Sequence, residues 1–499
     1  MASREPHRPN IISILTDDQG YWAIGCAGNP EIRTPNLDRL AEHGVRFENF
    51  FCTSPVCSPA RASLLTGRIP SQHGVLDWIR GGNDPADQRF GEPIEYLAGQ
   101  LAYTDTLAAN GYICGLSGKW HLGASHIPQK GFTNWFAHPR GGGPYLNAEM
   151  IRDGEIVRVP GYLTDAITND ALHFIDLCTE KDTPFYCSVH YTAPHSPWLE
   201  QHPQQIVDSY DDCLFESCPQ EPRHPGAIYS DLSFSRAIAN KHDDSVPIRE
   251  YLKGYFAAVT AMDANIGRII KKLDQLGLRD NTLIFFCSDN GFNCGHHGIW
   301  GKGNVTQPLN MYDTSVKVPA IISHPGHLPE GMVCDALVSQ YDFMPTLLDY
   351  LGLQNDPAQL LPGKSFLPLL SNDKPDEHDF VVVFDEYGPT RMIRTREWKY
   401  IHRYPYGPHE LYDLENDSNE RVNLLDDERT FSLSAQAKQS LALKLQGELE
   451  AWFEQYVDPQ MDGVREAVCG RGQLAPLGVD GRGKRRFHPR ENLPYGNSK

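Results

Sequence analysis

The sequence predicts an α/β fold, with a large mixed and mainly parallel central sheet, joined to a smaller C-terminal α+β unit with an antiparallel sheet. Three observations predict it. Short apolar runs, Asn10 to Leu15, Tyr112 to Leu116, Phe185 to His190 and Thr282 to Cys287, alternate with stretches of helical periodicity, the pattern of parallel strands joined by crossover helices. Each run gives way at once to polar residues, as strands do where an open sheet gathers ligands at its carboxyl edge. The chain is also 499 residues long, more than one average domain. Charged, irregular sequence near Ser371 to His378 divides a main unit, 1–375, from a smaller one, 376–459, and an extended tail, 460–499.

In chain order, Asn10 to Leu15 reads as a buried central strand that ends in Thr16-Asp17-Asp18-Gln19-Gly20. Adjacent carboxylates repel each other unless a cation lies between them. An isolated Asp-Asp is commonly a solvated turn, but at the end of a parallel strand a hard divalent cation with oxygen ligands is the better account. Thr34-Pro35 opens a helix, with threonine as the expected cap and Gly44 closing it. Cys57-Ser58-Pro59-Ala60-Arg61, followed by Leu64-Leu65-Thr66-Gly67-Arg68, places Cys57 at a helix N-terminus with Pro59 in its first turn. The helix dipole there favours an anion, and Arg61, one turn on, brings a guanidinium to the same spot.

Tyr112 to Leu116 delivers Ser117-Gly118-Lys119-Trp120-His121-Leu122-Gly123. Lys119 and His121 flank Trp120, so in an extended segment they point to one side and share an anion pocket. His126 to Val159, with Gly141-Gly142-Gly143, has weak periodicity and reads as a long loop shaping substrate access. Leu163 to Leu177 is helical, and Phe185 to His190 is the next core strand, ending in Pro194-His195-Ser196-Pro197. A histidine held between prolines suits a positioned donor; a satisfied structural histidine is the alternative. Residues 205–248 read as a polar insertion with little core.

Tyr251 to Leu276 carries an apolar stripe at helical spacing, which is core. Thr282 to Cys287 leads into Ser288-Asp289-Asn290-Gly291, so Asp289 and Asn290 complete an oxygen-only cation site with Asp17 and Asp18. The loop Gly295-His296-His297-Gly298-Ile299-Trp300-Gly301-Lys302 is rich in donors. Adjacent histidines are poorly placed for one transition metal, so His296, His297 and Trp300 read as groups that contact or support a substrate. Val318 to Ser323 returns to the sheet and Tyr341 to Leu351 is an amphipathic helix. Phe380 to Asp385, Arg391 to Thr395 and Trp398 to His402 form the smaller antiparallel sheet, followed by a helix from Ser434 to Tyr456. Residues 460–499, rich in Gly, Pro and Arg, read as a surface-wrapping or disordered tail, or as an arm between subunits of an oligomer.

Composition narrows the function. With 64 acidic and 45 basic residues the formal charge is -19, which argues against a nucleic-acid partner and requires any anion site to be a local basic pocket. Met1 to Pro9 is polar, and no apolar run is long enough to span a bilayer, so no membrane partner is expected. As written this is a cytoplasmic protein, or an exported one whose leader has been removed. Twelve cysteines without tight pairs or zinc-like spacing fit reduced thiols.

The Cys-x-Pro-x-Arg motif with Leu-Thr-Gly-Arg beyond it, Gly-Lys-Trp-His-Leu-Gly at 118–123 and Pro-His-x-Pro at 194–197 resemble the signatures of the type I sulfatases, from about residue 9 to residue 455. The resemblance implies an alkaline-phosphatase-like sandwich and a sulfuric ester hydrolase in which Cys57 is oxidised to formylglycine by a maturation enzyme. The hydrated aldehyde is then the nucleophile, beside a cation held by Asp17, Asp18, Asp289, Asn290 and residue 57 itself; calcium is the first choice and magnesium the alternative. Lys119, His195 and Lys302 would hold the sulfate, with His195 or Lys302 as acid, and His121 would turn over the covalent intermediate. A sulfated saccharide is the expected substrate. A phosphonate monoester or phosphodiester hydrolase, or an arylsulfatase acting on small aryl sulfates, are the alternatives.

Overall fold

The computed structural model describes residues 8–86, 92–228, 246–354, 360–370, 378–385, 390–426, 433–466, 468, 470–478, 481 and 484–488. Ten strands form the main sheet: β1 (Asn10–Asp17), β2 (Val45–Phe51), β3 (Ile113–Lys119), β4 (Phe132–His138), β5 (Glu149–Arg152), β6 (Glu155–Arg158), β7 (Phe185–Pro194), β8 (Thr282–Ser288), β9 (Ala320–Ser323) and β10 (Met332–Ser339). Their order is β10-β2-β9-β8-β1-β7-β3-β4-β5-β6. The central run β8, β1, β7, β3 and β4 is parallel throughout. Strand β9 and the edge pair β5 and β6 run antiparallel to their neighbours.

Alternation along β1 explains why it reads as a continuous apolar run. Ile11 and Leu15 enter the core on one face, Ile12 and Ile14 the core on the other. The second face is covered by helices α1 (Pro35–Glu42), α3 (Leu163–Glu180) and α4 (Ile248–Leu276), and the first by helix α2 (Cys57–Thr66). Among the described residues no helix is long and apolar enough to cross a membrane.

Several expectations need correction. Thr34 does not cap α1: its hydroxyl accepts from the Gly25 N–H at 2.8 Å and donates to Asp38 at 3.0 Å. The exposed helix N–H groups are taken instead by Asp263 of α4, which accepts from Asn36 N at 3.2 Å and Leu37 N at 2.8 Å. The supposed loop from 126 to 159 contains β4, β5 and β6, which extend the sheet; β6, largely open to solvent, lacks the apolar alternation that marks a core strand. Strands β2 and β10, absent from the sequence reading, pair in parallel at the other edge. The expected helix from Tyr341 begins as a 3-10 turn, Gln340–Asp342, before Phe343–Tyr350.

Residues 205–248 hold more core than the little expected of them. Tyr210, Phe215 and Cys218 are buried with Trp22, Tyr255 and Phe256, and Phe215 meets Phe256 edge-on with centroids 4.9 Å apart. Residues 229–245 of that stretch lie outside the described residues, as do 371–377 of the expected domain boundary and 489–499 of the tail.

The second sheet, β11 (Val381–Asp385), β12 (Thr390–Arg394), β13 (Trp398–Arg403) and β14 (Glu410–Asp413), is an antiparallel meander. Its residues divide between two cores. Val381, Val383 and Met392 join the main core, while Val382, Phe384 and Ile393 pack with Leu445, Leu449 and Phe453 of helix α5 (Ala435–Tyr456). Ser434 caps α5, accepting from Ala437 N at 3.2 Å. A buried ion cluster ties the sheet to the main unit: Lys399 Nζ reaches Asp313 Oδ1 at 2.6 Å and also pairs with Glu420.

Candidate active site

Four adjacent parallel strands deliver polar residues to one edge. β1 ends in Asp17 and Asp18, β3 in Lys119, β7 leads into His195 and β8 into Asp289 and Asn290. Helix α2 brings Cys57 to the same place as its first residue, and all ten of its residues are buried. That two-sided burial, and not amphipathicity, is why the helix carries apolar and small residues all round. Gly67 closes it in a left-handed conformation with φ 65°, its N–H bonded to Ser63 O at 2.8 Å.

Cys57 Sγ lies 3.3 Å from Asp17 Oδ1 and 2.8 Å from Lys302 Nζ. Lys119 Nζ pairs with Asp17 Oδ2 at 2.6 Å, and Lys302 Nζ pairs with Asp18. Arg61 Nε and Nη2 both reach Asp289 Oδ2 at 2.9 Å, and its Nη1 donates to Lys119 O at 3.2 Å. His195 Nε2 stands 3.8 Å from Asp18 Oδ2, while its Nδ1 donates to Ser196 O at 2.7 Å. Three buried carboxylates thus face three buried cations, an arrangement that avoids the cost of an isolated charge in a dry interior.

The backbone aims these groups. Asp18 adopts φ 64°, a conformation that aspartate tolerates better than most residues. Its N–H donates to Asp289 Oδ1 at 3.2 Å, and its carbonyl accepts from Tyr255 Oη at 3.0 Å. Gly118 has φ 120°, and a Cβ there would lie 1.9 Å from His190 O, so only glycine fits before Lys119. Strand β3 stops at Lys119 and His121 has φ 57°, so the pair does not reach the site by strand alternation as the extended reading held. His121 instead turns so that Nε2 donates to Ile79 O at 3.0 Å.

Electrostatics follow from burial and these partners. Burial raises the Asp17 carboxyl, with the Lys119 ammonium opposing it. Burial works the same way on Asp18, but Lys302 and His195 outweigh it and hold that carboxyl low. Asp289 is likewise held low, chiefly by Arg61 against burial. Burial and then Asp17 push the Cys57 thiol far above its ordinary range, so as a thiol it carries no thiolate character. Burial keeps His121 neutral, reinforced by Lys119 and Arg61.

Ligand atoms of Asp17, Asp18, Cys57 and Asp289 lie within 4.8 Å of one another, all buried. Hard carboxylate oxygens at that spacing fit a divalent cation, with Asn290 beside them, its Nδ2 2.8 Å from Asp18 Oδ1 and its Oδ1 3.4 Å from Lys302 Nζ. A half-turn of that amide exchanges its oxygen and nitrogen.

The other residues of the 295–302 loop have different surroundings. His296 accepts from Cys294 N at 3.2 Å through Nδ1 and donates to Ser217 O at 3.0 Å through Nε2, so both ring nitrogens serve the protein. His297 lies flat on Tyr312, with centroids 3.7 Å apart, and meets Arg421. Trp300 is buried against Trp198 and donates to Gln220 at 3.2 Å. The sequence reading missed the supports of the site. Gln340 Nε2 donates to the carbonyls of Ser288 and Asp289, each at 2.9 Å, and no motif signalled it. The Gly141-Gly142-Gly143 tract was visible, and its place is against three rings: a Cβ on Gly141 would lie 2.4 Å from His121, on Gly142 3.3 Å from His195 and on Gly143 3.2 Å from His138.

A sulfatase family model matches residues 9–353, and an N-sulphoglucosamine sulphohydrolase C-terminal model matches residues 295–447. An N-acetylglucosamine-6-O-sulfatase of Bacteroides thetaiotaomicron is 28% identical, over 94% of this chain and 90% of its own. An ulvan-active sulfatase of Formosa agariphila is 30% identical, over 84% of this chain and 78% of its own. A solved structure of a protein in complex with its substrate D-glucosamine-2-N,6-O-disulfate superposes with a TM-score of 0.75 at 26% identity, covering 92% of this chain and all of that one. By the match over residues 9–353 the chain belongs to the sulfatases, sulfuric ester hydrolases of the alkaline-phosphatase-like superfamily, here with the N-sulphoglucosamine sulphohydrolase type of C-terminal region.

Proposed function

We propose that this sulfatase removes sulfate from a sulfated carbohydrate, using residue 57 as a formylglycine made from the cysteine by a maturation enzyme, with calcium as the bound ion. The observation that carries the mechanism is the setting of Cys57. Its sulfur touches Asp17 and Lys302 in a closed charged pocket, yet the thiol is pushed so high that it is a poor nucleophile as it stands. A hydrated aldehyde at the same position supplies a hydroxyl nucleophile. The names of the two curated relatives and the ligand of the superposed structure support a carbohydrate substrate.

Asp17, Asp18, Asp289, Asn290 and residue 57 would hold the cation, which when bound lowers the pKa of the nucleophile and offsets charge on the sulfuryl oxygens. Arg61, fixed on Asp289, keeps a positive charge beside residue 57. One hydroxyl of residue 57, its proton lost to solvent, bonds to sulfur while Lys119, His195 and Lys302 hold the sulfuryl oxygens, and His195 or Lys302 protonates the leaving alcohol oxygen as its bond to sulfur breaks. His121 then takes the proton of the second hydroxyl, the carbon–oxygen bond to sulfate breaks, and the aldehyde returns with release of sulfate.

The test is peptide mass spectrometry across Cys57, on a batch assayed in parallel with sulfated saccharides, aryl sulfates and phosphonate esters. Activity on the sulfated sugar that follows the oxidised fraction is the expected result. Full activity with an intact thiol, or a preference for phosphonates, would overturn the reading.

A further inference from the structure

The C-terminal tail does not run free over the surface. Residues 470–478 and 484–488 lie against the segment that follows α2, with Gln473 fully buried. Gln473 N donates to Trp78 O at 2.8 Å, and Arg80 N donates to Gln473 O at 2.9 Å, a parallel bridge centred on Ile79. The Gln473 side chain extends the grip: its Oε1 accepts from Leu76 N at 2.9 Å and its Nε2 donates to Gly74 O at 2.8 Å. Gly472 N donates to Asp77 Oδ2 at 3.0 Å.

In an extended segment successive residues turn their peptide groups to opposite sides. Trp78 and Arg80 turn theirs to the strap, so Ile79 turns its own inward. Ile79 N donates to Ser58 Oγ at 3.0 Å, and Ile79 O accepts from His121 Nε2 at 3.0 Å. Ser58 Oγ in turn donates to His121 O at 2.9 Å. A carbonyl can only accept, so Nε2 carries the ring proton. Nδ1 is then the lone-pair atom, and it is buried without a hydrogen-bond partner among the described residues.

We infer that Gly472 and Gln473 are positioning residues for His121: by holding the outer side of Trp78 to Arg80, they fix the Ile79 carbonyl that selects the Nε2–H tautomer and leaves Nδ1 as proton acceptor. This inference rests on the proposed role of His121. The strap acts through one backbone carbonyl and touches no reacting atom.

The experiment uses the full-length protein with imidazole-labelled histidine, and the His121 signals are identified by their loss in His121→Gln. Nitrogen NMR of the parent should show the Nε2–H tautomer at His121, and Gln473→Ala should convert it to a mixture. In the oxidised enzyme Gln473→Ala should lower kcat about tenfold with KM within about twofold, one decade of transition-state stabilisation lost from a step after binding. Intact mass should show a sulfuryl group retained on residue 57. Should Gln473→Ala fail to fold, Gly472→Ala is read in the same way, since its Cβ would lie 2.5 Å from the Arg80 side chain at a φ of 104°. A folded strap variant with an unchanged tautomer and kcat overturns the inference alone. Normal turnover by His121→Gln overturns the role of His121 itself, and the inference with it.

Discussion

Lys302 Nζ sits 2.8 Å from Cys57 Sγ while pairing with Asp18, so one ammonium serves both the nucleophile position and the cation-site carboxylate. Burial opposes its charge, but Asp18 and the other nearby acids raise its pKa well above the ordinary value, which keeps it protonated. Lys302→Met should therefore lower kcat/KM by about 10²–10³, the usual loss for a preorganised donor in a dry site. Steady-state kinetics on a sulfated sugar checks this. A loss under about threefold, less than half a decade of transition-state stabilisation, would remove Lys302 from the chemistry.

Gly141 lies against His121. A methyl group there would meet the ring at 2.4 Å, so the ring must shift, and its hydrogen bond to the Ile79 carbonyl shifts with it. Gly141→Ala should cut kcat more than tenfold, above about 1.4 kcal/mol, with melting changed little, because the strain falls on the imidazole and not on the sheet. Parallel melting curves and kinetics separate the two effects.

Acid should destabilise the fold through its neutral histidines. His73 is lowered by burial to about 3, His202 to about 3 and His296 to about 4. His73 and His296 each accept a backbone hydrogen bond at one ring nitrogen, from Val75 N and Cys294 N respectively, so protonation breaks it. Below pH about 6.5 the unfolded chain takes up protons that the folded chain refuses, so stability present above that pH drains away toward pH 4, at up to about 1.4 kcal/mol per pH unit for each ring. Urea midpoints at pH 7.5, 6.0 and 5.0 should fall in that order, and His296→Gln should flatten the trend.

Cation binding should show as stability. Calcium at a hundredfold excess over its dissociation constant adds about 2.7 kcal/mol, so the chelated protein should melt lower, and Asp289→Asn should abolish the difference. Melting curves with calcium, magnesium and chelator check it. Superimposable curves in all three would mean that the acids are held by Lys119, Lys302 and Arg61 alone.

Lys399→Met should cost about 3–5 kcal/mol, because it leaves Glu420 buried without its cation beside Asp313, which keeps the longer pair with Arg394 at 3.5 Å. Burial and Asp313 already raise Glu420 to about 7 despite Lys399. A carboxyl raised in the folded state stabilises it below its unfolded pKa and loses that contribution as pH rises through 7, so the variant should be closest to the parent at low pH. Denaturation at pH 6 and pH 8 measures the gap.

The centre of the sheet and most of the site were readable because each depends on local pattern. Strands β1, β3, β7 and β8 are apolar runs bounded by polar residues, and Asp17, Asp18, Lys119, His195, Asp289 and Asn290 sit at or just beyond their ends. The unread parts depend on partners distant in sequence. Thr34 has every feature of a cap, yet Asp263, far along the chain, takes that place. Strand β6 lies half open at the sheet edge and has no core-facing alternation to show. His296 was readable only as a group that contacts or supports a substrate, because its two hydrogen bonds to Cys294 and Ser217 are invisible in a linear reading.

Strand β1 lies between β7 and β8, which follow it only much later in the chain. As the polypeptide is made, Asp17 therefore waits 102 residues for Lys119, and Asp18 waits 284 for Lys302. Until then only Arg61 and water are at hand to offset the repulsion between the two carboxylates. Such long-range closure makes for slow folding, and it makes the reactive centre one of the last parts of the main unit to exist. A nascent or truncated chain ending before residue 302 would carry the cysteine and its acids but not the pocket that gives them a purpose.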